Sequence, residues 1–156
     1  MSLTRKALYV FLLSMVPLIE LRGSVIMGAG FDLPWWLTYA VSVVGSMIPV
    51  PFILLFIRKI LQWMKGVKHL NKIAEWVENK AHKHSAKVMK FASLGLFLFV
   101  AIPLPGTGAW TGSLVAAMLD MRMKYSLLAI FGGVVVAGLI MTCASYGFFG
   151  FLNFLL

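Results

Sequence analysis

Pro103-Leu104-Pro105-Gly106-Thr107-Gly108 sits at the middle of a stretch, Phe91 to Leu119, that carries no charge over 29 positions. Two prolines within three residues cannot both donate to a helical ladder, and Gly-Thr-Gly follows them, so the run breaks any helix that reaches it. The apolar arms on either side, Phe91 to Ile102 and Ala109 to Leu119, are 12 and 11 residues long. As helices each reaches about 17 Å, against roughly 30 Å of hydrocarbon core. This predicts a re-entrant hairpin whose turn lies near the bilayer midplane. Irregular backbone at that depth is tolerated only where it is packed in protein or lines a wet cavity, and a cavity predicts a substrate.

The rest of the chain suits that setting. With 61% hydrophobic and 12% charged residues, 156 residues cannot hide their apolar surface in a soluble core, which implies a polytopic membrane protein. Arg5 and Lys6 ahead of Ala7 to Ile19 imitate a signal peptide, but the run continues into Glu20-Leu21-Arg22-Gly23 without a small-x-small cleavage site. The single cysteine, Cys143, cannot form an intrachain disulfide. His69, His82 and His84 lie in a basic stretch without acidic or thiol partners at ligand spacing, so neither a metal nor a cofactor is expected. Nothing points to a nucleic-acid partner.

Charge sets the topology. Arg58 to Lys90 holds nine of the fourteen basic residues against Glu75 and Glu78, and such a segment stays in the cytoplasm. Ile60, Trp63, Met64, Val67, Leu70, Ala74 and Val77 recur there at helical spacing, while Lys65, Lys68, Lys72, Lys80, Lys83 and Lys87 fall largely elsewhere on the wheel. The expectation is an amphipathic helix over 58–90 lying on anionic headgroups, with a solvated connecting helix as the plainer alternative.

Two segments read as full spans. Trp35 to Ile57 is uncharged over 23 residues; Asp32-Leu33-Pro34 reads as its helix start, Trp35 and Trp36 as an aromatic belt, and Pro49 and Pro51 as a kink near its cytoplasmic end. Tyr125 to Leu156 is uncharged over 32 residues, more than one span needs. It therefore tilts, kinks, or leaves the bilayer around Gly147 to Gly150, and Gly132, Gly133, Ala137 and Gly138 offer a small face for close packing.

The chain thus divides into a single transmembrane domain, 1–156, of two similar halves: a first repeat 7–57, the basic helix 58–90, and a second repeat 91–156. Val16-Pro17-Leu18 corresponds to Ile102-Pro103-Leu104, and Gly23-Ser24 to Gly112-Ser113. Paired Gly/Pro-interrupted segments at corresponding places point to an inverted-repeat transporter with its site at the repeat interface. The fold class expected is an all-α polytopic membrane protein with two re-entrant helical hairpins plus transmembrane helices. Ala7 to Phe31 either re-enters, leaving the N-terminus outside, or spans, leaving it inside; the symmetry and the charges at its middle favour re-entry.

Those charges carry the chemistry. An ionised group near the bilayer centre costs roughly 2.5–3.5 kcal/mol even on the lenient insertion scale, so Glu20 and Arg22 at that depth imply a use. Arg22 would grip an anionic headgroup through its fork of donors, with Glu20 holding it in place or exchanging a proton. Opposite them Gly106-Thr107-Gly108-Ala109-Trp110-Thr111-Gly112 opens a half-helix whose free N–H groups and threonine hydroxyls suit an anion. The alternatives are a headgroup-level anchor for the charges and plain turn chemistry for the glycines. No P-loop lysine, nucleophile elbow or hydrolytic carboxylate pair is visible, so an enzyme is not expected.

Glu20-Leu21-Arg22-Gly23-Ser24 and Pro103-Leu104-Pro105-Gly106-Thr107-Gly108-Ala109-Trp110-Thr111-Gly112 together resemble the signature segments of the putative small multidrug export protein family, a branch of the DedA (VTT, SNARE-associated) superfamily. The resemblance covers nearly the whole chain. It implies two re-entrant hairpins entering from opposite faces and a superfamily role in moving lipids, notably the undecaprenyl (polyprenyl) phosphate carrier, driven by protons. The second hairpin is neutral here, where better characterised superfamily members carry arginines. The expectation is a small multi-pass transporter of the bacterial cytoplasmic (inner) membrane that translocates an anionic lipid. Its substrate-binding residues are Glu20, Arg22, Gly23, Pro103, Pro105, Gly106, Thr107, Gly108, Trp110, Thr111 and Gly112. Membrane lipids, protons and a second copy of the chain are its partners, the Gly132 to Gly138 face being the candidate dimer seam. Proton-coupled export of amphipathic cationic drugs is the runner-up, and a non-transporting scaffold that organises anionic lipid the third reading.

Overall fold

In the computed structural model the described residues are 2–65, 86–104 and 106–155, and among them every regular element is a helix. In chain order these are α1 Leu3–Met15, α2 Glu20–Gly30, α3 Trp35–Met47, α4 Pro49–Lys65, α5 Ala86–Ala101, α6 Ala109–Met118 and α7 Met123–Leu155. Trp35–Ile60 and Met123–Phe148 are long and apolar enough to cross a membrane; the other helices of the described chain are shorter or less apolar.

The breaks follow the prolines. Pro17 disfavours helical geometry at the residue before it, and Val16 accordingly turns out to ψ 132°, ending α1. The second arms end alike. Leu33 N–H donates to Gly28 O and Asp32 N–H to Ala29 O, and 88 positions on Met121 N–H donates to Ala116 O and Asp120 N–H to Ala117 O. Both aspartates are left-handed, with φ 54° and 49°, and the residue after each is buried, which is the paired-bond glycine-type helix stop built with aspartate. Asp32 therefore closes α2; Pro34, with no side-chain cap, is the N-cap of α3. The expectation that Asp32 starts the span is corrected on that ground: N-caps and left-handed stops favour the same short polar residues.

The first span is also broken earlier than expected, at Ile48 between α3 and α4, because Pro49 has no N–H to continue the ladder. The interruption lies near the middle of Trp35–Ile60 rather than near its end. α7 continues through Gly147 and Gly150 unbroken to Leu155, about 50 Å long by helical rise and so longer than the roughly 30 Å of hydrocarbon core. Residues 58–65 belong to α4, continuous with the span; the remainder of the proposed basic helix up to residue 85, with the three histidines, lies outside the described residues.

Packing is reciprocal. α1 lies on α2 and α3, and α5 on α7; each second arm lies against the long helix of the other half, α2 on α7 and α6 on α4. Matching close approaches recur at matching positions. A Cβ at Gly45 would meet Phe11 O at 2.8 Å and Ser14, and one at Gly133, 88 positions later, would meet Phe97 O at 2.9 Å and Val100. Gly132 likewise faces Phe97 and Gly138 faces Tyr39, so these glycines of α7 are packed against helices of the same chain. The shared core runs from Leu21 and Val25 through Val50 and Leu54 to Val100, Ala116, Ile130 and Val134.

Candidate functional site

The two interrupted segments meet at their breaks. Glu20 opens α2 in the left-handed region, φ 46°, an arrangement that costs a long side chain on the order of 1 kcal/mol and needs outside support. Support comes from its own backbone, Glu20 N–H to Val16 O at 2.9 Å, and from its carboxylate. Oε1 accepts the N–H of Trp110 at 2.9 Å, in the first turn of α6. A helix N-terminus presents unpaired donors and the positive end of its dipole, so it takes a carboxylate well. Gly108, the N-cap, makes this possible: a Cβ there would sit inside the Glu20 carboxylate.

Arg22 crosses the other way. Its Nη2 donates to Thr107 Oγ1 at 2.7 Å and to Ile102 O at 3.2 Å, and Nη1 lies 3.9 Å from Glu20 Oε2. Thr107 Oγ1 in turn is held at Ile102 O, 2.9 Å, and Leu104 O, 3.0 Å. The indole of Trp110, at the position 88 on from Arg22, donates from Nε1 to Met15 O at 3.2 Å. Each half therefore sends one side-chain donor to a carbonyl at the end of the other half's first arm. Those carbonyls are left out of the helical ladder because Pro17 and Pro103 stopped the helices that would have used them, and Ile102 O also accepts the N–H of Leu104 at 2.8 Å. Arg22 Nε is buried and without a partner.

Of the expected residues, Glu20, Arg22, Thr107, Gly108 and Trp110 come together here. The others do not join them. Gly23 is packed against Ile19, its own turn, and Gly112 against Val100 of α5. Thr111 Oγ1 bonds back to Gly108 O at 3.4 Å. Gly106, at φ 83° and in open space, serves the turn, and Pro103 breaks the helix there; Pro105 lies outside the described residues. Sequence reasoning saw the anion seat at α6 but not its occupant, which is the chain's own Glu20. It also missed Met15 O, Ile102 O and Ser46, which are ordinary apolar or small residues with no signature. Arg58, read as part of the basic segment, is turned inward, donating to Met121 O with Nε buried and unpaired.

Between Glu20 and Arg22, with Ser46, Val134 and Ala137 as the wall, there remains a largely apolar crevice with room for about one water molecule. The tips are thus closed on each other through charge-assisted bonds, strong ones when desolvated. Outside them the breaks present bare apolar side chains: Leu18 is 97% exposed, Leu104 55% and Ile102 49%.

No curated protein and no solved structure matches the chain. A family described as "Putative small multi-drug export protein" matches residues 20–140, from the first residue of α2 to within α7, taking in Glu20, Arg22 and the whole α6 seat. The chain is therefore a helical membrane protein that belongs to the putative small multi-drug export protein family.

Proposed function

We propose that the chain is a transporter of an anionic lipid, built as two re-entrant hairpins in an inverted repeat, and that the meeting of their tips is its substrate site in a closed state. The observation that carries this is the carboxylate of Glu20 seated on the N-terminus of α6 while Arg22 holds the opposite break. That arrangement is an anion seat filled by an anion of the chain itself. A phosphate headgroup would take the same N–H groups of α6 and the guanidinium, including the unpaired Nε, with Glu20 released by taking up a proton. The acyl or polyprenyl chain would lie outside the tips, where Leu18 and Leu104 are bare. Resemblance to the DedA superfamily supports the lipid assignment, and a bacterial cytoplasmic membrane is the setting it implies.

Several contacts support the hairpins. Lys6 Nζ donates to Phe31 O at 2.5 Å, which puts the start of α1 beside the end of α2, as a segment that returns to its entry face requires. Phe91 and Leu94 of α5 line one groove with Tyr125 and Leu128 of α7, which puts the start of α5 beside the residues that follow α6. The first hairpin then belongs to the face of Trp35 and the second to the face of Arg58 and Lys124. With basic residues inside, the second is cytoplasmic and the N-terminus is outside.

A second reading, proton-coupled export of amphipathic cations, is favoured by the family's description and by the buried carboxylate of Glu20, a group that draws a cation. Transport of polyprenyl phosphate and of a cationic dye in proteoliposomes separates the two for wild type, Glu20→Gln and Arg22→Lys, with folding checked by monodisperse elution. Lipid transport should fall by about tenfold or more in both variants, since Arg22→Lys keeps charge but loses the fork. Full lipid activity in both eliminates the site. Dye transport lost in Glu20→Gln alone, with lipid never moved, establishes export.

A further inference from the structure

One face of α3 carries Thr38, Ser42 and Ser46 at successive turns, and their exposures are 0%, 0% and 1%. Packing does not ask for these oxygens. At the corresponding positions 88 residues on, the seam of α7 carries Ile130 and Val134 in place of Ser42 and Ser46 and keeps a hydroxyl only at Ser126, the counterpart of Thr38. Each of the three has a polar partner on a neighbouring helix, Ser46 Oγ donating to Ser14 O of α1 at 3.3 Å. Ser24 Oγ lies 2.8 Å from Ser42 Oγ. At the outer end Thr38 Oγ1 is 2.6 Å from Tyr146 Oη, which donates to Leu33 O at 2.7 Å, one residue from exposed Asp32. At the inner end Ser46 and Glu20 border the crevice between the tips, whose volume is about that of one water molecule.

Thr142 supplies an independent sign of water. It is 6% exposed, and its Oγ1 has no hydrogen-bond partner. It stands one turn from Gly138, which faces Tyr39 and Val43, and one turn from Tyr146, which holds Thr38, so it lies on the face of α7 turned to α3. An orphaned hydroxyl at such a place is satisfied by a bridging water.

We propose that Thr38, Ser42 and Ser46, assisted by Ser24, Tyr146 and bound waters, form a proton path from the Asp32 end of the first half to Glu20. Hydroxyls one turn apart are about 5–6 Å from each other, too far for a direct bond and suited to one intervening water. A proton taken from water beside Asp32 is handed inward, each hydroxyl giving up its own proton as it receives another. One proton is added to the Glu20 carboxylate, one is lost from the outer water, and nothing is oxidised. Glu20, on gaining it, surrenders its negative charge toward Arg22 and the α6 N–H groups; the charged groups near the outer end are Asp32 and Lys6. On the topology proposed above, the path opens on the outer face. The inference rests on Glu20 as the proton-exchanging group of the proposed function and adds the route.

The test is time-resolved infrared spectroscopy of the full chain in lipid nanodiscs after a pH jump from a photolysed caged proton. The carboxylic C=O band of Glu20 is assigned by its loss in Glu20→Gln. In Ser42→Ala plus Ser46→Ala the band should keep its amplitude but rise more slowly by about tenfold or more, the scale of a positioned proton donor. Each single alanine variant should slow it in the same direction, so the outcome does not depend on the double variant folding. Ser42→Thr should restore the rate, and Ser113→Ala and Ser126→Ala in the second half should leave it at the wild-type value. A titrating band with unchanged rate in the alanine variants overturns the path and leaves the role of Glu20 intact. A wild-type band that never titrates overturns both.

Discussion

The two halves of this chain share a backbone plan and divide the chemistry unequally. Both stop a first arm at a proline, end a second arm on a left-handed aspartate, and seat the long helix on the first arm through a glycine, Gly45 or Gly133. Yet the first half fills its seam with Ser14, Ser42 and Ser46, and the second uses Val100, Ile130 and Val134 in the corresponding places. At the tips the difference is sharper. Glu20 faces Gly108, its counterpart 88 positions on, and Arg22 is matched by Trp110. The fold therefore needs only the breaks and the close approaches. The charges of Glu20 and Arg22 and the hydroxyls of Ser42 and Ser46 have Gly108, Trp110, Ile130 and Val134 in their places in the second half, which is why they read as function rather than as scaffold.

The comparison breaks outright if the halves do not enter from opposite faces. In a Cys143→Ala background, cysteines at Trp36 and Lys124, both exposed, should react with an impermeant thiol reagent from opposite sides of sealed vesicles. Cysteines at Met123 and Asn79 should react from the same side. These are all-or-none outcomes, and labelling of Trp36→Cys and Lys124→Cys from one side would remove the two-hairpin arrangement.

Next in size is the asymmetry at the tips. Gly108→Ala places a methyl where the Glu20 carboxylate lies and turns a charged group out of its helix-end site, which should cost about 2–4 kcal/mol of stability. Gly106→Ala, two residues away in open space, incurs only the left-handed strain of φ 83°, about 1 kcal/mol. Thermal unfolding in detergent should rank them in that order. The reverse order would mean that Glu20 is not held where the tips meet.

Much of the plan was legible from residue types alone. Pro17 and Pro103 announce both breaks, because a missing N–H is a local fact. Trp35 and Trp36 are exposed at 59% and 57%, as an aromatic belt requires. Three things were not legible. Asp32 stands before Leu33-Pro34 and so imitates an N-cap, while its actual task, closing α2, uses the same short side chain in a left-handed conformation. The break at Ile48 was placed too late because Pro49 acts on the turn before it. The union of Glu20 with Trp110 spans 90 positions and leaves no periodic trace. The anion seat was visible and its tenant was not, since a local pattern can show that N–H groups are free but not which distant side chain reaches them.

A smaller effect sharpens the reciprocal donors. Trp110→Phe keeps the ring and removes the Nε1–H that Met15 O accepts, leaving that carbonyl unpaired. The expected loss is about 1 kcal/mol, the scale of a neutral hydrogen bond. Arg22 at the matching position contributes a charged donor to two acceptors, so removing its hydrogen bonds by Arg22→Met should cost more, about 2–3 kcal/mol. Equal losses in the two variants would show that the halves are joined symmetrically and that the charge of Arg22 adds nothing to the joint.

The smallest expected effect concerns the features that the halves share. Asp32 and Asp120 hold φ 54° and 49° at the ends of α2 and α6. Glycine adopts that region freely, so Asp32→Gly and Asp120→Gly should each gain about 0.5–1 kcal/mol by relieving the left-handed backbone. If the two stops are equivalent the gains match, because each is made by the same pair of backbone bonds and backed by one buried apolar residue, Leu33 or Met121. The surroundings could still separate them. Asp32 stands next to Leu33, whose carbonyl Tyr146 grips, while Met121 O receives Arg58. A gain at both sites within a few tenths of a kcal/mol of each other would place the likeness of the halves in the backbone itself. A loss at Asp120 with a gain at Asp32 would instead show that its carboxylate works at the basic face, among Arg58, Arg122 and Lys124, and that even this shared stop has been put to separate use.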